Sequence, residues 1–314
     1  MNKYYHGVVM VLLCAFSFAL GPTFAKFAYK NDVSVMTLLF FRSSIAGIVL
    51  FCCLFITKQN LRVERKALLG LFFLGAVCNT MQSFCFFSAL NYIPASLTVV
   101  IAYTYPALTA IATCILDHEV ITKKLIFSLI GSFAGLTLML GTTLGSIDVW
   151  GIILAAGSSL LYTIYVVLSN RILKKVPNLT AGSYILLFSI AGTLFISLLS
   201  SNKINFGFQG AAWPWILGFA LFTAIGIISF FKGLKILGPT KATVLCTSEP
   251  LFGVAIAIIL FQDRLTALQL LGAAGVIAGA VMSVYTPSKD IKGKQLCQSH
   301  AFESESGIHE KFLQ

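Results

Sequence analysis

The sequence predicts an all-α integral membrane protein with ten transmembrane helices, arranged as two inverted five-helix repeats. Composition, the lengths of the apolar segments and an internal repeat predict this fold. Apolar residues make up 58% of the 314 positions and charged residues only 11%, and the mean hydropathy is +0.90. Soluble domains carry about 25% charged residues. Only helices and closed barrels satisfy their backbone groups in lipid, and long apolar runs without alternation favour helices.

Ten apolar segments are long enough to cross a bilayer, which takes about 20 residues. Short connections separate them, and many of these contain Pro, Gly, Asn or Asp. The first segment resembles a secretory signal peptide, but the repeat described below gives it a partner, so it is predicted to be a true span. The approximate spans are Gly7–Ala28, Val35–Thr57, Ala67–Leu90, Ser96–Leu116, Leu125–Gly145, Val149–Ser169, Ala181–Ser200, Trp213–Lys232, Ala242–Phe261 and Ala267–Tyr285.

The distribution of Lys and Arg predicts the orientation, because cytoplasmic loops carry an excess of both. With a cytoplasmic N-terminus, 17 of the 22 basic residues lie inside and four lie outside, and Arg42 lies within a span. Both termini are therefore predicted to be cytoplasmic, in a multi-pass protein of the cell membrane. The same distribution explains the net charge of +11 without nucleic acid, since the basic residues orient the chain and do not cluster with aromatic residues.

An internal repeat relates the two halves of the chain. Shifting the sequence by 144 positions aligns residues 86–135 with 230–279 without a gap, and pairs Pro106 with Pro250 and Glu119 with Asp263. Each copy holds five spans, an odd number, so the second copy enters the membrane in the opposite sense. The predicted units are residues 7–145, residues 149–285 and a disordered cytoplasmic tail over 286–314.

The sequence contains none of the residue spacings that ordinarily indicate an enzyme or a metal site. The four histidines have no paired ligand spacing, and the eight cysteines include no CxxC motif. We therefore predict no metal, no cofactor and no catalytic residue. A membrane-embedded enzyme and a channel remain as alternatives from other classes, although the sequence has no reactive constellation and no polar filter segment.

The C-terminal half carries a recognisable motif. Ser248-Glu249-Pro250-Leu251-Phe252 is followed by Leu260-Phe261-Gln262-Asp263-Arg264-Leu265-Thr266, and then by Gln269, Gly272 and Gly275. This pattern resembles the signature of EamA-type drug/metabolite transporters. The segment 37–50, with Arg42 and Ala46, is similar to the second span of that family. The first half departs from the motif, since Tyr105-Pro106 stands where the second half has Glu249-Pro250.

The resemblance implies a secondary transporter that works by alternating access. We expect it to export small metabolites, with amino acids or related compounds as the first expectation. Drugs, sugars or nucleobases are the alternative cargoes. The expected partners are a small-molecule substrate, the lipid bilayer and protons, while the oligomeric state stays open.

Glu249 is the most specific candidate for substrate binding or proton coupling. An ionisable side chain within a span is costly and usually faces a cavity or a partner. Pro250 follows it and removes a backbone donor, which loosens the helix there. The alternative interpretation is structural, with Glu249 satisfying freed backbone groups.

Arg42 is the second charged residue within a span. It is predicted to lie about 10 Å from the outer edge, and Glu249 about 10 Å from the cytoplasmic edge, so depth does not favour a salt bridge between them. Arg42 either attracts an anionic group such as a carboxylate or extends to the headgroups.

Six polar or aromatic residues complete the predicted substrate site. Asn79 and Gln82, three residues apart in one span, either line a cavity or join helices by hydrogen bonds. Tyr103, Tyr105, Tyr162 and Tyr165 either contact the substrate or pack between helices. By contrast, Gly131-x3-Gly135 and Gly275-x3-Gly279 are predicted to be helix-packing sites.

Overall fold

The computed structural model describes residues 3–59, 61–89, 92–117, 122–140, 148–199, 203–261 and 266–284, and every regular element within these ranges is helical. A π-helix over Phe73–Asn79 joins α4 to α5, and a 3-10 turn over Gly210–Ala212 precedes α11. The α-helices are α1 Lys3–Ala19, α2 Gly21–Tyr29, α3 Val35–Ile56, α4 Arg65–Phe72, α5 Thr80–Ala89, α6 Ala95–Ala102, α7 Tyr105–Asp117, α8 Lys123–Leu140, α9 Val149–Ile172, α10 Asn178–Leu199, α11 Trp213–Leu237, α12 Pro239–Cys246, α13 Glu249–Phe261 and α14 Ala267–Val284.

Nine helical segments within the described ranges are long and apolar enough to cross a membrane. The chain is therefore a multi-pass membrane protein. The tenth predicted span, Ala242–Phe261, is divided between α12 and α13 and is not among the nine. The predicted tail over 286–314 and the repeat pair Glu119 and Asp263 lie outside the described residues.

Local signals fix where several helices begin. Ser34 precedes α3 in an extended conformation, and its side chain accepts a hydrogen bond from the backbone N–H of Thr37. Asp148 does the same for α9, accepting from the N–H of Trp150. Such capping satisfies donors that the first helical turn leaves unpaired. Between α11 and α12, Gly238 has a φ of 81°, which suits glycine and allows the sharp reversal before Pro239.

Helix boundaries repeat at the interval found in the sequence. The helices α12, α13 and α14 begin and end 144 positions after α6, α7 and α8. The packing is also symmetric under exchange of the halves. The main pairs are α1 with α11, α5 with α9, α3 with α10, and α8 with α14. When the two halves are exchanged, the pair α1–α11 takes the place of the pair α5–α9, and the reverse. The pairs α3–α10 and α8–α14 each map onto themselves.

The last helix of the first half, α8, and the last helix of the second half, α14, approach each other closely. A Cβ atom at Gly135 would lie 2.6 Å from the carbonyl oxygen of Gly272, and one at Gly275 would lie 3.0 Å from the Cα of Gly135. A Cβ atom at Gly279 would lie 2.7 Å from the carbonyl oxygen of Ser128. These glycines are confirmed as packing sites. Gly131 differs from the others, because its own Cβ position is open, although its carbonyl oxygen would lie 3.5 Å from a Cβ atom at Gly275.

Gly135→Ala is expected to destabilise the protein by about 1–3 kcal/mol, since the added methyl group overlaps backbone atoms that have no rotamer to escape into. Gly131→Ala, one turn earlier in the same helix, is the matched control. It is expected to be neutral or slightly stabilising, because alanine favours the helix. Thermal unfolding in detergent measures both. Equal melting temperatures for the two variants would contradict the close packing of α8 on α14.

Each end of the bundle is held by contacts between distant parts of the chain. At one end, the Thr37 hydroxyl accepts from the backbone N–H of Asn205 and donates to its carbonyl, both at 2.8 Å. We call this the 203–209 end, after the segment that packs there. At the opposite end, which we call the Arg171 end, Arg171 pairs with Asp117 at 2.8 Å.

Candidate functional site

Two helix breaks lie at positions related by the repeat. The first, at Tyr103 and Thr104, separates α6 from α7, and the second, at Thr247 and Ser248, separates α12 from α13. A proline two residues after each break removes a backbone donor and frees a carbonyl of the preceding helix. The hydroxyls at the breaks turn back onto the helices that they end, with Ser248 Oγ donating to the Leu245 carbonyl at 2.7 Å.

Glu249 lies at the second break, where it is the first residue of α13. The Tyr103 hydroxyl, at the first break, interacts with its carboxyl group. Both residues are half-buried. The symmetric breaks therefore bring one residue from each half of the chain into direct contact.

The four predicted tyrosines form a continuous series of rings that begins at this contact. Ring centroids of Tyr103 and Tyr105 are 5.6 Å apart, those of Tyr105 and Tyr162 are 4.6 Å apart, and those of Tyr162 and Tyr165 are 5.8 Å apart. Edge-to-face and offset contacts at these distances are favourable. We name Glu249 and the four tyrosines the tyrosine–glutamate cluster.

Two cysteines complete the walls of this cluster. The buried thiols of Cys14 in α1 and Cys246 in α12 lie close to each other and near Glu249 and the tyrosines. Sequence reasoning treated both only as apolar core residues. The position of Cys246, one turn before Glu249, was the available signal.

Arg42, the other charged residue predicted within a span, lines a separate small pocket. Its Nε is buried without a hydrogen-bond partner among the described residues. Its guanidinium carbon lies 5.5 Å from the centroid of the Phe219 ring. The pocket is mostly polar, and its lining is Leu39, Arg42, Ser43, Asn79, Thr80, Ser83, Ser189 and Thr193.

Asn79 and Gln82 each join two helices by a hydrogen bond, which is one of the two roles expected from the sequence. Asn79 donates to Ser189 of α10 at 2.9 Å, whereas Gln82 donates to Ser158 of α9 at 3.3 Å. Residues three apart in an α-helix point about 60° apart, which lets the two amides contact different neighbouring helices. Asn79 thus joins Arg42 in one pocket, and Gln82 links α5 to α9.

An apolar groove also reaches the tyrosine–glutamate cluster. It runs between α8 and the break before α7, and its lining includes Tyr103, Thr247, Ile130 and Phe133. Ile130 and Phe133 are exposed on the outer face of the bundle, so the groove opens toward the lipid. Within the described residues, no three of His, Cys, Asp and Glu lie close enough to share a metal ion.

Comparison with solved structures supports the fold. A crystal structure with 18% sequence identity superposes with a TM-score of 0.75, covering 90% of this chain and 97% of the other. At this identity the likeness concerns the fold alone.

Comparison with known sequences identifies the family. The chain is 24% identical over 287 residues to the uncharacterized transporter YyaM of Bacillus subtilis, covering 88% of this chain and 93% of the relative. It is 26% identical over 279 residues to an uncharacterized transporter of Archaeoglobus fulgidus, covering 88% and 96%. The model of the EamA-like transporter family matches residues 6–141 and again residues 149–285. This chain therefore belongs to the EamA-like transporter family.

Proposed function

We propose that the protein exports amino acids or related small metabolites by alternating access, with the tyrosine–glutamate cluster as its central site. The observation that carries this proposal is the contact between Tyr103 and Glu249 at two symmetric helix breaks. Transporters with inverted repeats bind their substrates near the membrane midplane, where discontinuous helices meet. A carboxylate there offers a partner to a substrate ammonium group and an acceptor for a proton.

The proposed architecture has ten spans in two inverted repeats, residues 7–145 and 149–285, with α12 and α13 together forming the ninth span. The 144-residue spacing of helix boundaries supports it. So do the symmetric helix pairs and the two matches of the family model. An odd number of spans in each repeat requires the second copy to be inverted.

The proposed location is the cell membrane, with both termini cytoplasmic, so that the Arg171 end faces the cytoplasm and the 203–209 end faces outward. The excess of Lys and Arg on the first side supports this orientation. We propose that the terminal segment 286–314 is cytoplasmic.

A transporter is favoured over an enzyme because the matched family and the named relatives are transporters. A channel is disfavoured because distant parts of the chain join at both ends of the bundle.

Export of lipophilic, cationic drugs is a second candidate, and the apolar groove favours it. The groove leads from the exposed Ile130 and Phe133 to Tyr103, which interacts with Glu249. A cation with a large apolar body would reach the carboxylate directly from the bilayer.

Metabolite profiling of the medium tests the proposal. Cells that overexpress the protein are compared with cells that express the Glu249→Gln variant at the same level. We expect one or more amino acids to accumulate outside at least several-fold above the variant. Accumulation of other solutes without any amino acid would overturn the assignment of cargo, and a medium identical to that of the variant would overturn export through this site.

A further inference from the structure

The Arg42 pocket contains an uncompensated positive charge within the membrane-spanning part of the protein. Eleven acidic residues occur in the sequence, and within the predicted spans Glu249 is the only one. Glu249 interacts with Tyr103 and not with Arg42. The side chains with which Arg42 interacts electrostatically are the phenols of Tyr29 and Tyr165, which are neutral when protonated. Among the described residues, no carboxylate pairs with Arg42.

The neighbouring polar groups do not satisfy the guanidinium. Three hydroxyls of the pocket donate to backbone carbonyls instead: Ser83 to Asn79, Thr193 to Ser189, and Thr80 to Gly75, at 2.8–2.9 Å. The amide of Asn79 is turned toward Ser189 and donates to its hydroxyl. The buried Nε of Arg42 therefore remains a free donor in the pocket.

One aromatic ring, that of Phe219, packs against the guanidinium of Arg42. The face of Phe219, itself almost fully buried, lies 5.5 Å from the guanidinium carbon. Such a cation–π contact stabilises the charge in part, but it supplies no hydrogen-bond acceptor. A buried ion costs several kcal/mol unless it is paired, and an anionic ligand would provide the pairing.

We propose that the Arg42 pocket binds the carboxylate group of the transported substrate. This inference rests on the proposed function and deepens it, since it restricts the cargo to carboxylate-bearing molecules. A guanidinium matches a carboxylate with two parallel hydrogen bonds. The free volume beside the guanidinium is small, about 10 Å³, so binding a carboxylate requires the lining side chains to move apart.

The pocket is connected to the tyrosine–glutamate cluster. Tyr165 interacts electrostatically with Arg42 and stacks on Tyr162, whose ring contacts Tyr105. The series of tyrosines therefore runs from the cation to the carboxylate of Glu249. The ammonium and carboxylate groups of an α-amino acid share one carbon atom, so such a substrate meets Arg42 and Glu249 one after the other along this series.

A comparison of amino acids with their carboxamides tests the inference. Proteoliposomes are loaded with the twenty standard L-amino acids and with the matching L-amino acid amides, and the efflux of each is followed by mass spectrometry. For the wild type we expect the carboxamides to leave at least tenfold more slowly than the amino acids. Arg42→Gln should slow the amino acids to the carboxamide rate and leave carboxamide efflux unchanged.

Two further variants keep the result interpretable. Arg42→Lys retains the charge but loses the planar pair of donors, so we expect a raised KM with a smaller loss of rate than in Arg42→Gln. Arg171→Gln removes an arginine outside the pocket and should leave the preference for carboxylates unchanged.

The outcomes separate the two proposals. Equal efflux of amino acids and carboxamides by the wild type, or an equal loss of both in Arg42→Gln, would overturn the carboxylate pocket alone. No efflux of any amino acid by the wild type would overturn the proposed cargo, and the inference with it.

Discussion

Glu249→Gln is expected to lower the rate of transport at least tenfold while leaving the folded protein intact. Glutamine has nearly the same shape and keeps an acceptor for the Tyr103 hydroxyl, but it carries no charge and takes up no proton. Hydrogen bonds to charged groups contribute about 1.5–3 kcal/mol, which corresponds to roughly a 10- to 100-fold change. The loss should fall on substrate binding, on proton coupling or on both.

Proteoliposomes with an imposed pH gradient distinguish these contributions. We expect the wild-type rate to change with the gradient and the variant rate to be insensitive to it. Glu64→Gln is the control, because Glu64 is exposed at the start of α4. A Glu249→Gln variant that transports at the wild-type rate and still responds to the gradient would remove Glu249 from the mechanism.

A disulfide between Thr37→Cys and Asn205→Cys is expected to abolish transport, with recovery on reduction. The Thr37 hydroxyl bonds both backbone polar groups of Asn205 at 2.8 Å, so the two residues are close enough for a cross-link without large backbone movement. If alternating access requires the 203–209 end to open, a covalent link across it arrests the cycle.

The single variants under the same oxidant control for the native cysteines, several of which are partly exposed. Transport by the double variant is measured before oxidation, after oxidation and after addition of a reducing agent. Full activity in a protein shown by mass spectrometry to be cross-linked would mean that this end does not open during transport.

The sequence predicted helices better than it predicted contacts. Hydropathy located nine spans that the structure contains, because burial in lipid constrains every residue of a helix in the same way. The Glu249-Pro250 pair also indicated the second helix break directly, since a proline removes a backbone donor wherever it occurs.

The neighbours of each side chain could not be predicted in this way. The pattern did not reveal that Cys14 meets Cys246, because the two residues lie in helices far apart in the chain. Nor did it reveal that Asn79 and Gln82 form hydrogen bonds with different helices. The glycine spacing was the same in α8 and α14, yet Gly131 faces open space. These outcomes depend on helix rotation and packing, which apolar periodicity does not specify when lipid surrounds most of the helix.

The central claim is that a site beside Glu249 opens to one side of the membrane at a time. Sided labelling of Cys246 tests it most directly, because this thiol lies one turn before Glu249 and is 3% exposed in the closed bundle. The other native cysteines are replaced, and a membrane-impermeant thiol reagent is applied from each side, with and without the cross-link at the 203–209 end. We predict labelling from both sides without the cross-link, and from the cytoplasmic side alone with it. Labelling from both sides with the cross-link closed, or from neither side in an active transporter, would contradict alternating access at this site.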